Sequence, residues 1–193
     1  SHAPEVFSGQ VPKVSLAWAP AVGLSLSVFA DGLGFFFAAM ILAIGFLVIV
    51  YARYYLSRED PMGRFFAYLL LFQGAMVGVV LSDNVILLLV FWEMTSLTSF
   101  LLIGFWQKRA DARQGARMAL VVTGGGGLAL IGGLLLLAEA AGSYQLTEIL
   151  ARGDIVRASP LYVPALLLVL VGAFTKSAQF PFHFWLPHAM AAP

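Results

Sequence analysis

Apolar residues fall in five long runs separated by short polar stretches. The runs are approximately Gly32–Ala52, Phe65–Leu81, Val85–Trp106, Met118–Ala138 and Leu161–Phe180. Crossing the hydrocarbon core of a bilayer takes about 20 apolar residues of helix. Lipid offers no partner to an open backbone group, so an uninterrupted helix is the default for each run. The pattern predicts an all-α, polytopic transmembrane bundle of about five spans plus the start of a sixth. Residues 31–193 form this domain. Residues 1–30 mix polar residues with prolines and Trp18, and read as an N-terminal arm, either a loop or a short interfacial segment. Within the arm, the alternation in VGLSLSVFAD fits a short strand.

Composition agrees with the pattern. The chain is 61% hydrophobic and 11% charged, whereas soluble domains carry about 25% charged residues. A net charge of +1 implies no polyanionic partner and no nucleic acid. Cysteine is absent, which excludes disulfides and thiolate metal sites. No metal-ligand cluster, nucleophilic triad or dinucleotide fingerprint is present, so no catalytic residue, metal or cofactor is expected. The chain starts at Ser1 and its last residues, AMAAP, follow what reads as the beginning of another helix. A piece of a longer polypeptide is the expectation.

Arginine and lysine set orientation. Arg53, Arg58 and Arg64 follow the first run, and Lys108, Arg109, Arg113 and Arg117 follow the third. SDN at 82–84 has neither residue, and the loop 139–160 has only Arg152 and Arg157. This alternation places the N-terminal arm outside and the residues after Phe180 inside. These loop charges read as solvated faces.

Two charges lie within the runs, Glu93 in the third and Lys176 in the fifth. A charge at the centre of a span costs at least about 2.5 to 3.5 kcal/mol, so such residues pair or line a water path. At 1.5 Å per residue, Glu93 lies about 12 Å into its span, and Lys176 about 18 Å if Pro164 is in the first turn. The two runs point the same way, so the depths allow a Glu93–Lys176 pair near the midplane. It either handles protons or simply locks two helices together, since desolvation can cancel the gain of a buried pair.

Pro181 and Pro187 in FPFHFWLPH each interrupt the helical hydrogen-bond ladder. Broken membrane helices recur at transporter ion sites. His183 is the side chain there whose ordinary titration lies near neutral pH. It reads either as a proton relay or as an interfacial residue; His188, near the membrane edge, is weaker. TGGGGLALIGG at 123–133 lacks the Gly-Lys-Ser/Thr ending of a phosphate loop and reads as small residues that let helices approach closely. The hydroxyls of Thr95 to Ser99 bond across helices, back-bond to their own turn, or line a water wire. Asp31 suits the positive end of the first helix, and Asp83 lies in a tight turn. Trp92, Trp106 and Trp185 fit interfacial or packing roles.

Three segments, NVILLLVFWEMTSLTSFLLIGFW, VVTGGGGLALIGG and GAFTKSAQFPFHFWLPHAMAAP, resemble the antiporter-like subunits of the proton-conducting membrane transporter family. The likeness is closest to the A subunit of Mrp-type Na+/H+ antiporters, with the proton-pumping membrane-arm subunits of complex I second. It runs from about Asp31 to Pro193. The resemblance implies part of a longer, inverted-repeat bundle with a discontinuous helix near the C-terminus of this sequence. It implies that Glu93 of FWE and Lys176 of KSAQ form an ion pair and that His183 takes part in proton transfer. Thr95, Ser96, Thr175 and Ser177, the hydroxyls near the two charges, are candidates for lining the pathway. His188 stands where the family pattern leads one to expect asparagine or aspartate, so no role carries over to it. The implied function is monovalent cation/proton antiport, with a complex I-like proton pump as alternative. The implied setting is a multi-pass protein of the bacterial cytoplasmic membrane. Its partners would be lipid, protons, monovalent cations and other membrane subunits.

Overall fold

A computed structural model describes residues 13–19, 23–57 and 59–193. Residues 1–12 of the N-terminal arm, and Arg58, lie outside the described residues. Two strands, β1 (Lys13–Ala19) and β2 (Leu24–Phe29), pair antiparallel, with Lys13 opposite Phe29 and Leu16 opposite Leu26. The alternation in the arm is therefore a strand, and it belongs to a hairpin whose first strand carries the same alternation at Val14, Leu16 and Trp18. Among the described residues eight helices follow: α1 (Gly32–Tyr55), α2 (Met62–Leu81), α3 (Val85–Ile103), α4 (Ala110–Ala141), α5 (Leu146–Ala151), α6 (Gly153–Ala158), α7 (Tyr162–Lys176) and α8 (Trp185–Ala189).

The first four helices are each long and apolar enough to cross a membrane. Their starts follow capping rules. Asp31 accepts a hydrogen bond from the Gly34 amide at 2.7 Å, which opens α1. Asn84 accepts from the amides of Ile86 and Leu87 at 3.0 and 3.1 Å, which opens α3. Such caps satisfy amides that have no partner within the helix. Gly142, in the left-handed region at φ 67°, closes α4, a conformation glycine takes without steric penalty.

Three differences from the expected spans matter. Helix α4 starts well before 118, at Ala110, and ends at Ala141, so Arg113 and Arg117 stand on its first turns and not in a loop. The segment 139–160 is not a plain loop but holds the two short helices α5 and α6. The fifth run stops being helical at Lys176, not Phe180. Helix α7 has 15 residues, about 22 Å of rise, and a 3-10 turn (Phe182–Phe184) precedes α8.

The termination of α7 has a local cause. Pro181 supplies no amide and disfavours helix at the residue before it. Ahead of it the chain folds back on itself: the Gln179 amide donates to the Phe174 carbonyl at 2.9 Å, and the Ala178 amide to the Thr175 carbonyl at 3.4 Å. These two bonds make a Schellman ending, with Ala178 in the left-handed position at φ 51°. Trp185 Nε1 donates to the Thr175 carbonyl at 2.9 Å, so the terminal carbonyls are satisfied within the protein.

Neighbouring spans α1 to α4 pack in sequence, and α4 makes its most extensive contact with α7. One core cluster joins α3, α4, α5 and α6 through Val85, Leu89, Leu130, Leu134, Ile149 and Val156. A second, at the opposite end of α3, brings Ile103, Ala116 and Ala119 against Trp185.

Asp83 organises the hairpin end of the bundle. Its side chain is wholly buried, accepts from the Thr147 amide at 2.9 Å and hydroxyl at 3.2 Å and from Ser27 Oγ at 3.3 Å, and pairs with Lys13 Nζ at 2.5 Å. The backbone joins in: the Asp83 amide donates to the Ser27 carbonyl, and the Leu146 amide to the Asp83 carbonyl. Thus β1, β2, the α2–α3 turn and the start of α5 meet on one carboxylate. Burial acts to raise its pKa, but the Lys13 ammonium and the Thr147 donors outweigh this and hold it below the ordinary value.

A depressed carboxylate stabilises the fold above its unfolded pKa of about 3.9, and that contribution is lost as pH falls through the folded value. Thermal melts of the full-length protein in detergent are expected to show Asp83→Asn less stable than wild type at pH 7. The gap should narrow as pH is lowered through the carboxylate range; a pH-independent gap would show that the charge is not what matters. At the end of α7, Ala178→Gly is expected to raise stability by about 0.5 to 1 kcal/mol by relieving the left-handed alanine. A lower melting temperature would instead assign the larger effect to the contact of the Ala178 methyl with the Trp185 cluster.

Candidate functional site

The two intramembrane charges converge where α3, α4 and α7 cross. Lys176, the last residue of α7, sends its Nζ across to α3 and donates to Ser96 Oγ at 2.8 Å. The ammonium also lies over the Trp92 ring, 5.6 Å from its centroid, a favourable placement for a cation. Ser96 is one helical turn beyond Glu93, about 4.5 Å further along α3. Glu93 and Lys176 interact electrostatically, yet no amine–carboxylate contact within 4.0 Å joins them. The expected direct ion pair is therefore not made, and Ser96 and the Trp92 ring hold the amine instead.

Glycines of α4 make the crossing possible. A Cβ on Gly127 would collide with Glu93 Oε1, and one on Gly126 with the Thr175 side chain. Gly133 meets the Ala165 carbonyl and Val169, and Gly172 of α7 meets Leu130. The stripe at 123–133 therefore does bring helices together, and it also reserves space for a carboxylate, which spacing alone did not reveal. Glu93 Oε1 is buried without a hydrogen-bond donor. A groove of about 720 Å3 between α3 and α4 has Glu93 and Ser96 in its lining, beside Leu97, Leu120 and Ile131. An ionised oxygen so placed has an attraction for any cation or water that enters.

The remaining candidates divide. Thr95 is buried and back-bonds to the Trp92 carbonyl at 2.7 Å. Thr175 is buried and back-bonds to the Gly172 carbonyl at 2.8 Å. Ser177 is exposed and bonds to the Ala173 carbonyl at 2.7 Å. Of the four hydroxyls, Ser96 makes the bond between helices. His183 sits in the 3-10 turn after the break, exposed and stacked on Phe180 with centroids 5.8 Å apart. No hydrogen bond or ion pair joins it to Lys176 or Glu93 among the described residues. His188 is exposed in α8, where its backbone packs on Gly115. Among the described residues no cluster of His, Asp and Glu could hold a metal ion.

Known proteins are similar to this chain in sequence and in fold. Residues 82–193, more than half of the chain, match the family described as NADH:quinone oxidoreductase/Mrp antiporter, TM. Residues 18–66 match NADH-Ubiquinone oxidoreductase (complex I), chain 5 N-terminus. The A/B subunit of a probable K(+)/H(+) antiporter of Rhizobium meliloti is 58% identical over 98% of this chain and 19% of its own length. The A1 subunit of a Na(+)/H(+) antiporter of Staphylococcus aureus is 48% identical over 96% of this chain and 23% of its own. The chain therefore spans about a fifth of the length of these relatives. Among solved structures, the Mrp complex from Dietzia sp. superposes with a TM-score of 0.89 at 36% identity, over 99% of this chain and 21% of that one. The membrane-bound sulfane sulfur reductase, an archaeal respiratory membrane complex, gives a TM-score of 0.78 at 22% identity, over 98% of this chain and 38% of that one; it bears on the fold alone. With the family model covering more than half of the sequence and the superposition agreeing, this chain belongs to the transmembrane family shared by NADH:quinone oxidoreductases and Mrp antiporters.

Proposed function

We propose that this chain is the part of a monovalent cation/proton antiporter subunit that carries one proton-handling site, built on Lys176, Glu93 and His183. The observation that carries the reading is the reach of the Lys176 ammonium from the end of a broken helix onto α3, one turn from a carboxylate oxygen that accepts no hydrogen bond. A simple helix lock would be better served by direct contact of the two charges, which the site does not make. With the carboxylate at longer range, a cation drawn to Glu93 takes over part of its charge. The ammonium then loses electrostatic support and passes its proton on, with His183, seven positions further along, as the acceptor the chain offers. Ser96 holds the amine during the waiting state, and Thr95, Thr175 and Ser177 border the same region.

The antiporter reading is supported over a complex I-like pump by the relatives at 58% and 48% identity, both named as parts of antiporters. The transported cation would be sodium or potassium. The subunit would work beside other membrane subunits in the bacterial cytoplasmic membrane, and it would act as a transporter without enzymatic chemistry of its own.

The test uses the full-length subunit in its complex, in everted vesicles with a pH-sensitive dye. Lys176→Ala is expected to abolish cation-driven proton movement, and His183→Ala to reduce it by at least about tenfold, as loss of a positioned proton-transfer group does. Wild-type exchange by Lys176→Ala would end the proposal. Gly127→Ala offers a subtler check. Its methyl meets the far end of a flexible side chain, so stability should change little while the Glu93 carboxylate is displaced. The expected outcome is a higher cation concentration for half-maximal exchange; unaltered dependence would separate Glu93 from cation binding.

A further inference from the structure

At the arginine-rich end, opposite the hairpin, Arg64 of α2 and Arg113 and Arg117 of α4 line a cavity of about 330 Å3, together with Tyr68 and Phe105. Arg113 and Arg117 also border a groove of about 620 Å3 that continues along α4 over Val121, Val122 and Phe184. No carboxylate lines either space. Arg109, Arg152 and Arg157 each have an acidic partner within 4.0 Å, whereas Arg64, Arg113 and Arg117 have none among the described residues. Their protein bonds are to carbonyls: Arg64 Nη2 to Phe105 at 3.1 Å and Arg113 Nη1 to Gln107 at 2.7 Å. Arg64 Nε is buried with no acceptor at all.

Depth fits the chemistry. The uncharged stretch of α4 between Arg117 and Glu139 is about 30 Å long, the thickness of the hydrocarbon core. Arg117 therefore stands at the edge of the hydrocarbon and Arg113 one turn further out, among headgroups. Positions 113, 117 and 121 follow at four-residue spacing on one face, and Val121 is 73% exposed. A cationic cavity at headgroup level runs directly into an apolar groove at acyl-chain level.

We infer that this cavity and groove form a site for an anionic phospholipid, with its phosphate on Arg64, Arg113 and Arg117 and an acyl chain along Val121, Val122 and Phe184. The site is separate from the Glu93–Lys176 region and does not depend on the transport reading. Native mass spectrometry of the full-length complex, delipidated in detergent and titrated with phosphatidylglycerol or phosphatidylcholine, tests it. Arg113→Gln/Arg117→Gln is expected to weaken phosphatidylglycerol binding about 30-fold, the loss of two interfacial arginines, and to leave phosphatidylcholine binding unchanged. Val121→Trp fills the groove without touching the arginines and should also weaken binding, which guards against a double variant that fails to assemble. Undiminished phosphatidylglycerol binding by the variants, or equal binding of the two lipids, overturns the proposal. So does displacement of the lipid by millimolar inorganic phosphate, the mark of a soluble-anion site. A photo-crosslinker at position 121 is expected to capture lipid; capture of another stretch of the polypeptide overturns the site as well.

Discussion

An ammonium group cannot be left bare in hydrocarbon, and much of this bundle is arranged around that constraint. Lys176 sits at the end of α7, where the terminal carbonyls favour a cation, and its amine crosses to α3 for a hydroxyl and an aromatic face. That reach is short enough only if α3, α4 and α7 approach closely. Gly126, Gly127, Gly133 and Gly172 remove the side chains that would keep them apart. The glycine stripe and the buried amine are two halves of one solution: the missing side chains bring α7 close enough for the lysine to reach Ser96 and the Trp92 ring.

The interruption after Lys176 belongs to the same solution. A helix that stops inside a membrane exposes carbonyls unless protein satisfies them. Here the chain's own amides at Ala178 and Gln179 and the indole of Trp185 do so. The return of the chain also lays α8 against the start of α4, where Gly115 admits the His188 backbone. The break is therefore a packed joint, and it leaves the residues that follow Lys176 accessible on one side.

The apolar runs identified the membrane bundle because burial in lipid demands little beyond length and hydrophobicity. The two lone charges pointed to the site because so few ionisable residues are tolerated there. Cross-chain pairing was less visible. Asp83, an acidic residue in a short turn, gave no sign that it would gather Lys13, Ser27 and Thr147 from three other segments. Helix ends were also hidden. Arg113 and Arg117 resemble loop charges in a hydropathy reading, because a helix that leaves the membrane keeps its geometry while losing its apolar character. The close meeting of Gly127 and Glu93 depends on which faces of two helices meet, and one-dimensional spacing does not contain that.

The two partners in the site differ in how firmly they are held. Glu93 is about two and a half turns from Asn84, whose cap and whose neighbour Asp83 tie the start of α3 to the hairpin and to α5. Val85, Leu89 and Leu134 pack that same turn of the bundle. The carboxylate thus projects from a helix whose start is tied down by side-chain caps and core packing. Lys176 projects from the last residue of a short helix, through four methylenes, next to a joint closed by an alanine in an unfavourable conformation. Any change in their separation is borne by the amine far more than by the carboxylate. On the proposed reading, a cation arriving at this firmly placed carboxylate would alter the surroundings of a more loosely placed amine without disturbing the rest of the bundle.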